Sequence, residues 1–293
     1  MDTNHTKYME LNAEEAWKKY VVRIHIWIYG SILLIILLII LLLCFFSYGL
    51  FKFEDESIQN AMMLTCGSAM LIIFFMRRIL VYRESRQLQM VLYMDCAPVK
   101  MLDILKLWER KVRIRNGKYN ILLLKAQCCT YIPERLEEGL AYLQQINFTQ
   151  KRLNREAMLL LLFAQYSKIR GDRESFDKVK TDMEQLPALY PGKKSQREIW
   201  EKAMRLLEVE ELVWDGRTEE ATTEEARTLL YTLLEKEPYQ LNKVIFHMYL
   251  AQLDIEAEEY ENAKQHLEYV IAHGNQLVIV SKAKEQLEAI QQS

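Results

Sequence analysis

Glycine and proline are scarce in this chain, with 9 and 5 copies in 293 residues. These two residue types are the least favourable ones inside a helix. Leucine, glutamate, lysine, glutamine and alanine are abundant instead, and all of them favour helix. The composition therefore predicts an all-α protein, with helix along nearly the whole chain.

Recognisable catalytic and metal-binding patterns are also missing from the sequence. There is no H-E-x-x-H, no G-x-S-x-G and no Walker loop. His266 and His273 lie seven residues apart on one predicted helix face, but two ligands make a poor zinc site. These two histidines are expected to be exposed surface residues. We expect no metal, no cofactor and no enzymatic activity.

Cysteines are few and irregularly spaced. The five are Cys44, Cys66, Cys96, Cys128 and Cys129. No spacing matches a zinc knuckle or a secreted disulfide framework, so reduced thiols are expected. Cys128 and Cys129 would point about 100° apart on a helix, which favours buried small residues over a redox pair. Cys96 precedes a predicted helix, where a thiolate can be stabilised, and Asp95 is expected to cap that helix.

A surplus of positive charge is absent as well. The chain has a formal net charge of −2, and residues 84–293 hold 30 basic and 33 acidic side chains. Non-specific binding of nucleic acid requires a basic surface that neutralises phosphates. We therefore expect no nucleic-acid partner.

What the sequence does have is a long apolar run. From residue 24 to residue 51 no side chain carries a formal charge if His25 is neutral. About 20 helical residues span the hydrocarbon core of a bilayer, so this run predicts a first transmembrane helix over 24–51. It is too long for a signal peptide, and no small-residue cleavage site follows it.

A second apolar run predicts another transmembrane helix over residues 61–82. Arg77 and Arg78 would reach the headgroups, and the small residues 65–69 are expected to pack closely on the first helix. The acidic connector 52–60 suits an external loop between two spans. The alternative is that this second run forms a buried amphipathic helix of a soluble domain.

Lysine and arginine flank the predicted pair of helices on the sides away from the connector. Four basic residues lie in the N-terminal segment 1–23, and four more lie between residues 77 and 86. The positive-inside rule then places both termini in the cytoplasm. Neither span carries a buried carboxylate, lysine or arginine that could serve as an ion path, so anchoring is the predicted role, unless an oligomeric pore forms. A bacterial plasma membrane is the expected location.

The remainder of the chain alternates long predicted helices with short polar breaks, at a period in the thirties. Residues 83–114 form connecting helices, and residues 83–96 are expected to continue the second span as a stiff helix. Breaks are predicted at Gly171, at residues 187–196 and at Asp215. Helix pairs of this kind bury their apolar faces only when they stack on one another.

Residues 244–277 resemble a tetratricopeptide repeat. The residues that carry the likeness are Leu250, Ala251, Tyr260, Ala263 and Leu267. The preceding unit matches the family's spacing at Ala226, Leu230, Leu233 and Pro238, and earlier units match at Gly139, Leu143 and Ala164. The family's early Trp is replaced by His247, and its closing Pro by Asn275 after Gly274. The resemblance implies a TPR-like α-solenoid over residues 115–293, after the transmembrane helical hairpin.

In that family the first helices of the pairs line a concave groove that binds peptides or proteins. By position, the resemblance assigns the groove of the last repeat to Ile245, Met248, Gln252 and Ile255. Packing against the neighbouring repeat is an equally good interpretation of these four residues. A clamp for a terminal carboxylate is not supported, because Met248, Tyr249 and Gln252 offer no cation.

These observations predict a non-enzymatic, membrane-anchored scaffold or adaptor that binds proteins through its cytoplasmic repeats. An alternative is a small integral regulatory subunit of a larger membrane transport or secretion complex. A third hypothesis is a membrane-tethered enzyme that depends on Cys96. The expected partners are the lipid bilayer and proteins or peptides in the groove, with homo-oligomers or membrane complexes as further options.

Overall fold

The protein is helical throughout the residues that its computed structural model describes, which are 6–47, 56–111, 115–147, 151–215 and 220–292. No strand occurs within these ranges. The helices are α1 (Ala13–Ser47), α2 (Glu56–Tyr93), α3 (Pro98–Glu109), α4 (Arg115–Cys129), α5 (Leu136–Gln144), α6 (Leu153–Ile169), α7 (Arg173–Leu189), α8 (Lys194–Asp215), α9 (Glu220–Lys236), α10 (Gln240–Glu256), α11 (Tyr260–His273) and α12 (Ile279–Gln292). The predicted all-α class is confirmed.

The chain divides into two compact units. The apolar unit is Glu10–Met90, which contains α1 and most of α2. The tail unit combines Met1–Met9 with Val91–Ser293. The N-terminal segment up to Met9 and the chain that follows α2 therefore belong to the same unit.

The apolar unit exposes the side chains that a soluble protein would bury. Both helices contain a stretch long and apolar enough to cross a membrane, over Ala13–Cys44 and Met63–Tyr93. On α2, Leu64 is 74% exposed and Ile72 is 62% exposed. A buried amphipathic helix, which was the alternative for the second apolar run, does not fit this exposure.

Polar contacts join α1 and α2 outside their most apolar stretches. The Tyr20 and Ser85 hydroxyls lie 3.0 Å apart, and Arg23 Nη1 donates to Glu84 Oε1 at 3.2 Å. Gly67, in contrast, has open space where a Cβ would lie, with no atom within 4 Å. At Gly67 the structure therefore does not show the close packing on the first helix that was expected for residues 65–69.

The boundaries of the two apolar helices differ from the sequence prediction. Helix α1 begins at Ala13 rather than at residue 24, because the polar flank 13–23 is itself helical. Part of the predicted connector, 56–60, is the first turn of α2, and its remainder lies outside the described residues. Helix α2 then continues without a break to Tyr93, so the segment 83–93 is a rigid extension of the second apolar stretch.

Within the tail unit, each helix packs on the next one or two along the chain. One buried cluster joins α4, α5 and α6 through Ala126, Leu143 and Leu162. A second joins α6, α7 and α8, and a third joins α8, α9 and α10. Helices α6 and α8 each contribute to two clusters, so neighbouring cores share a helix.

The residues that carry the repeat resemblance lie in these contacts. Leu250, Ala251, Ala263 and Leu267 are fully buried, whereas Tyr260 is 43% exposed. Small side chains at positions 251 and 263 suit the close packing of α10 on α11. Asn275 has a left-handed φ of 47°, which ends α11 where the family has proline.

The predicted break at residues 187–196 is too long. Helix α7 continues through Pro187 to Leu189, and α8 already begins at Lys194. Proline has no N–H to donate to the carbonyl of residue 183, four positions earlier. The indole Nε1 of Trp200, on α8, donates to that Met183 oxygen at 3.0 Å instead. A tertiary contact thus satisfies the acceptor that Pro187 leaves open.

Three chain segments meet at residues 95 and 96, at the turn between α2 and α3. Thr6 donates its N–H to the Asp95 carboxylate at 2.8 Å, and its hydroxyl donates to the same carboxylate. Asn275 Nδ2 donates to the Asp95 carbonyl oxygen at 2.6 Å. The Asp95 side chain therefore fixes the N-terminal segment. The sequence prediction that Asp95 caps α3 is wrong. Ala97 is the N-cap of α3 and makes no side-chain cap bond.

Candidate partner-binding cavity

An open cavity of about 550 Å³ lies within the tail unit. Its wall comes from the turn between α4 and α5, the first residue of α5, and α6, α8, α10 and α12. On α6 the lining residues are Gln165, Lys168 and Ile169. The spacing i, i+3, i+4 places side chains on one face of a helix, so each wall is a single helical face.

The other two long walls repeat this spacing. Helix α8 contributes Glu210, Val213 and Trp214, and α10 contributes Ile245, Met248, Tyr249 and Gln252. The floor and sides are mostly apolar, with a few polar groups that converge between α6, α8 and α10. A pocket of this composition can hold an apolar side chain or peptide segment and orient it through hydrogen bonds.

Glu210 is the centre of the polar groups in the cavity. Lys168 Nζ lies 2.6 Å from Glu210 Oε2, and the Tyr249 hydroxyl donates to the same oxygen at 2.8 Å. Lys168 Nζ also lies 4.6 Å from the centroid of the Tyr249 ring. Burial and the Glu210 carboxylate raise the pKa of Tyr249 well above its usual value, so its hydroxyl stays a hydrogen-bond donor.

The structure brings three of the four predicted groove residues to this cavity. Ile245, Met248 and Gln252 line it, and Met248 is only 2% exposed. Ile255, one turn further along α10, is half-buried and does not line the cavity. Whether these residues bind a partner stays a prediction.

Sequence reasoning missed Lys168, Glu210 and Trp214, because they lie on helices in which the repeat motif is faint. A detectable signal existed in the spacing of large or charged residues at i, i+3 and i+4 on both α6 and α8. The cavity does contain cations, from α6 and from Lys282 on α12. These cations do not lie at Met248, Tyr249 or Gln252 of α10, the positions that were considered for a carboxylate clamp.

The three cysteines of the tail unit have buried thiols with raised pKa values. Cys96, Cys128 and Cys129 are all buried and free. Burial, with a smaller contribution from Asp95, raises the pKa of Cys96 to about 12. Burial raises the pKa of Cys129 to about 11 and that of Cys128 well above its usual value. A thiolate at position 96 is thus disfavoured near neutral pH, whereas the sequence analysis considered a stabilised thiolate there.

The histidines pair differently from the sequence expectation. His266 Nδ1 lies 2.8 Å from His247 Nδ1, on the neighbouring helix α10. His273 instead packs on the Tyr269 ring, with 4.4 Å between ring centroids. The His266 side chain is 13% exposed, so it is not the surface residue that was expected. No cluster of three metal-ligating side chains occurs in the described part of the chain.

Burial, reinforced by charges at His266, His273 and Lys243, lowers the pKa of His247 to about 4. The unfolded chain binds this proton near the ordinary pKa of 6.5, so stability present above pH 6.5 is lost as the pH falls toward 4. From pH 7 to pH 5 we expect the wild-type chain to lose about 1–2 kcal/mol more unfolding free energy than His247→Phe. Chemical denaturation of both proteins at the two pH values measures this difference.

Asp254 changes the pH dependence of the unfolding free energy in the opposite direction from His247. Its effect is the same in wild type and in His247→Phe, so it cancels when the two proteins are compared. Burial raises its pKa to about 6, against the lowering effect of Arg227, so its folded form takes up a proton as the pH falls. Equal losses of stability in wild type and His247→Phe would contradict the assignment of a neutral, buried His247.

Comparisons of the chain with protein-family models, with curated proteins and with solved structures return no match. The likeness to tetratricopeptide repeats therefore depends on the residues of this sequence alone.

Proposed function

We propose that this protein is a non-enzymatic, membrane-anchored scaffold that binds a protein partner in the cavity of its tail unit. The observation that carries the proposal is the cavity itself, in which apolar walls surround the converging groups of Lys168, Glu210 and Tyr249. An apolar segment of a partner would fill the space, and the polar groups would fix its register.

A TPR-like α-solenoid is the architecture we propose for the tail unit. Support comes from the shared cores, since α6 and α8 each belong to two consecutive clusters. In the tetratricopeptide repeat family, which the chain resembles, the first helix of each pair lines the inner surface. The cavity walls from α6, α8, α10 and α12 fit that arrangement, because alternate helices contribute them.

A two-span anchor with both termini in the cytoplasm agrees with the chain's connections. Thr6 contacts Asp95, and Lys100 Nζ donates to the Met9 carbonyl at 2.9 Å. These contacts support the proposal that the segments on either side of the two apolar helices lie on one side of a membrane, as two crossings would require. The basic flanks favour the cytoplasmic side, and we propose a bacterial plasma membrane.

Two isoleucines on α10 provide a matched test. Ile245 and Ile255 are both half-buried, but only Ile245 lines the cavity. Full-length protein carrying Ile245→Gln is expected to lose tenfold or more of the partner recovered after crosslinking in native membranes, since about 1.4 kcal/mol corresponds to tenfold in affinity. Ile255→Gln should recover as much partner as wild type. Equal recovery with both variants would contradict the cavity as the binding site.

A second candidate function is a regulatory subunit of a larger membrane complex. It is favoured by Gly30 and Gly67, which have open space above them on α1 and α2 and would allow another membrane helix to approach closely. Replacing both apolar helices by an unrelated helical hairpin distinguishes the two. Retained partners support the scaffold, whereas loss of partners that are themselves integral membrane proteins supports the subunit.

A further inference from the structure

Two basic turns that are distant in sequence lie side by side in the tail unit. One precedes and begins α6 (151–155), and the other begins α8 (193–197). Gly192 lies so close to α6 that a Cβ there would be 2.8 Å from Leu153 Cδ2. Gln196 Nε2 also donates to Asn154 Oδ1 at 3.4 Å. The packing of α8 on α6 thus gathers the charges of both turns on one surface.

This surface has the opposite charge from the rest of the chain. Residues 151–156 and 189–198 hold six basic and two acidic side chains, a net charge of +4, while the whole chain has −2. Lys193, Lys194 and Arg197 are exposed and have no ion-pair partner among the described residues. Their charges are therefore available to an anionic ligand.

A large apolar side chain is exposed beside these cations. Leu189 is 63% exposed. It is the last residue of α7 and immediately precedes the turn 190–193 that joins α7 to α8. Cations interspersed with exposed aliphatic side chains are typical of surfaces that enter the headgroup region of an anionic membrane. An acidic protein would supply the charge but gives no reason for the exposed aliphatic side chain.

We propose that this basic surface binds the anionic lipid headgroups of the membrane that α1 and α2 cross. The surface consists of Lys151, Arg152, Lys193, Lys194 and Arg197 with Leu189. The inference rests on the proposed membrane anchor, which keeps the surface at a high effective concentration beside the bilayer. A second attachment of this kind orients the tail unit on the membrane.

The test uses the full chain in nanodiscs of phosphatidylcholine, with and without about 30% phosphatidylglycerol. Hydrogen exchange of residues 187–199 is expected to slow about fivefold or more in the anionic discs, because each basic residue at such a surface contributes roughly that factor. The effect should weaken in high salt, which screens exposed charges. The acidic turn 256–261 serves as an internal control and should exchange equally in both discs.

The variant Lys193→Glu/Lys194→Glu/Arg197→Glu is expected to abolish the slowing. A matched variant, Lys178→Glu/Lys236→Glu/Lys284→Glu, changes the net charge equally at exposed sites outside this surface and should keep it. Equal exchange in both discs, or loss of the effect in both variants, overturns the inference. The inference is also overturned if residues 187–199 are protected in neutral discs only when soluble cell proteins are added. That result would assign the surface to an acidic protein.

Incorporation into the discs is measured first, because it tests the anchor separately. A chain that does not enter the discs overturns the anchor and, with it, this inference. A chain that enters them but exchanges equally in both overturns the basic surface alone.

Discussion

Gly139→Ala is expected to destabilise the tail unit by about 3–5 kcal/mol, as overpacking and a disrupted buried hydrogen bond act together. A Cβ at this position would overlap Tyr166 Oη and would lie 2.6 Å from Cys129 Cβ. Tyr166 cannot easily move, since it is 2% exposed and donates to the Ala126 carbonyl at 2.8 Å. The substitution therefore forces α5 away from both α4 and α6.

Chemical denaturation of the full chain in detergent, followed by tryptophan fluorescence, measures this effect. Gly67→Ala is the control, because a Cβ there meets nothing within 4 Å and alanine is the better helix former. Combining Gly139→Ala with Tyr166→Phe should recover only part of the loss, since the contact with Cys129 remains. A Gly139→Ala protein as stable as wild type would mean that α5 does not approach this closely.

Lys168→Met is expected to cost about 3 kcal/mol, because it leaves the Glu210 carboxylate buried without its cation. The side chains of this pair are only 19% and 9% exposed. Lys180 and Glu211 form a matched pair with the same 2.6 Å separation but exposures of 32% and 21%. Lys180→Met should therefore cost at most about 1 kcal/mol.

A double-mutant cycle assigns the effect to the pair itself. Lys168→Met/Glu210→Met is expected to lose far less stability than the sum of the two single variants, since apolar residues replace both charges. Additive losses would show that the two side chains do not interact. The same variants remove the polar groups of the cavity, so the double variant is also expected to bind partner poorly while remaining folded.

Sequence reasoning succeeded where a local rule decides the structure. Connecting helices were expected over residues 83–114, and Pro98 begins α3, where its missing N–H would have no partner in any case. The predicted break at Gly171 separates α6 from α7, since Gly171 adopts a φ of 70° and Asp172 caps α7 by accepting from the Ser175 N–H. These features depend on a few neighbouring residues.

Sequence reasoning failed where a side chain distant in sequence supplies the missing interaction. Pro187 looked like a helix end, but Trp200 satisfies the carbonyl that the proline leaves open. Asp95 was expected to cap a helix, but its carboxylate accepts a hydrogen bond from the Thr6 N–H instead. Three of the four predicted groove residues do line a cavity, yet its central carboxylate, Glu210, is on a helix with no clear repeat motif.

Composition and periodicity alone determined that this protein is helical and that two of its helices are long and apolar enough to cross a membrane. Both properties are sums over many residues, so single exceptions do not change them. Only the tertiary structure decided which charges meet, as Lys168 and Glu210 do across α6 and α8. It also decided that the basic turns 151–155 and 193–197 share one surface, because such contacts depend on how α8 packs on α6.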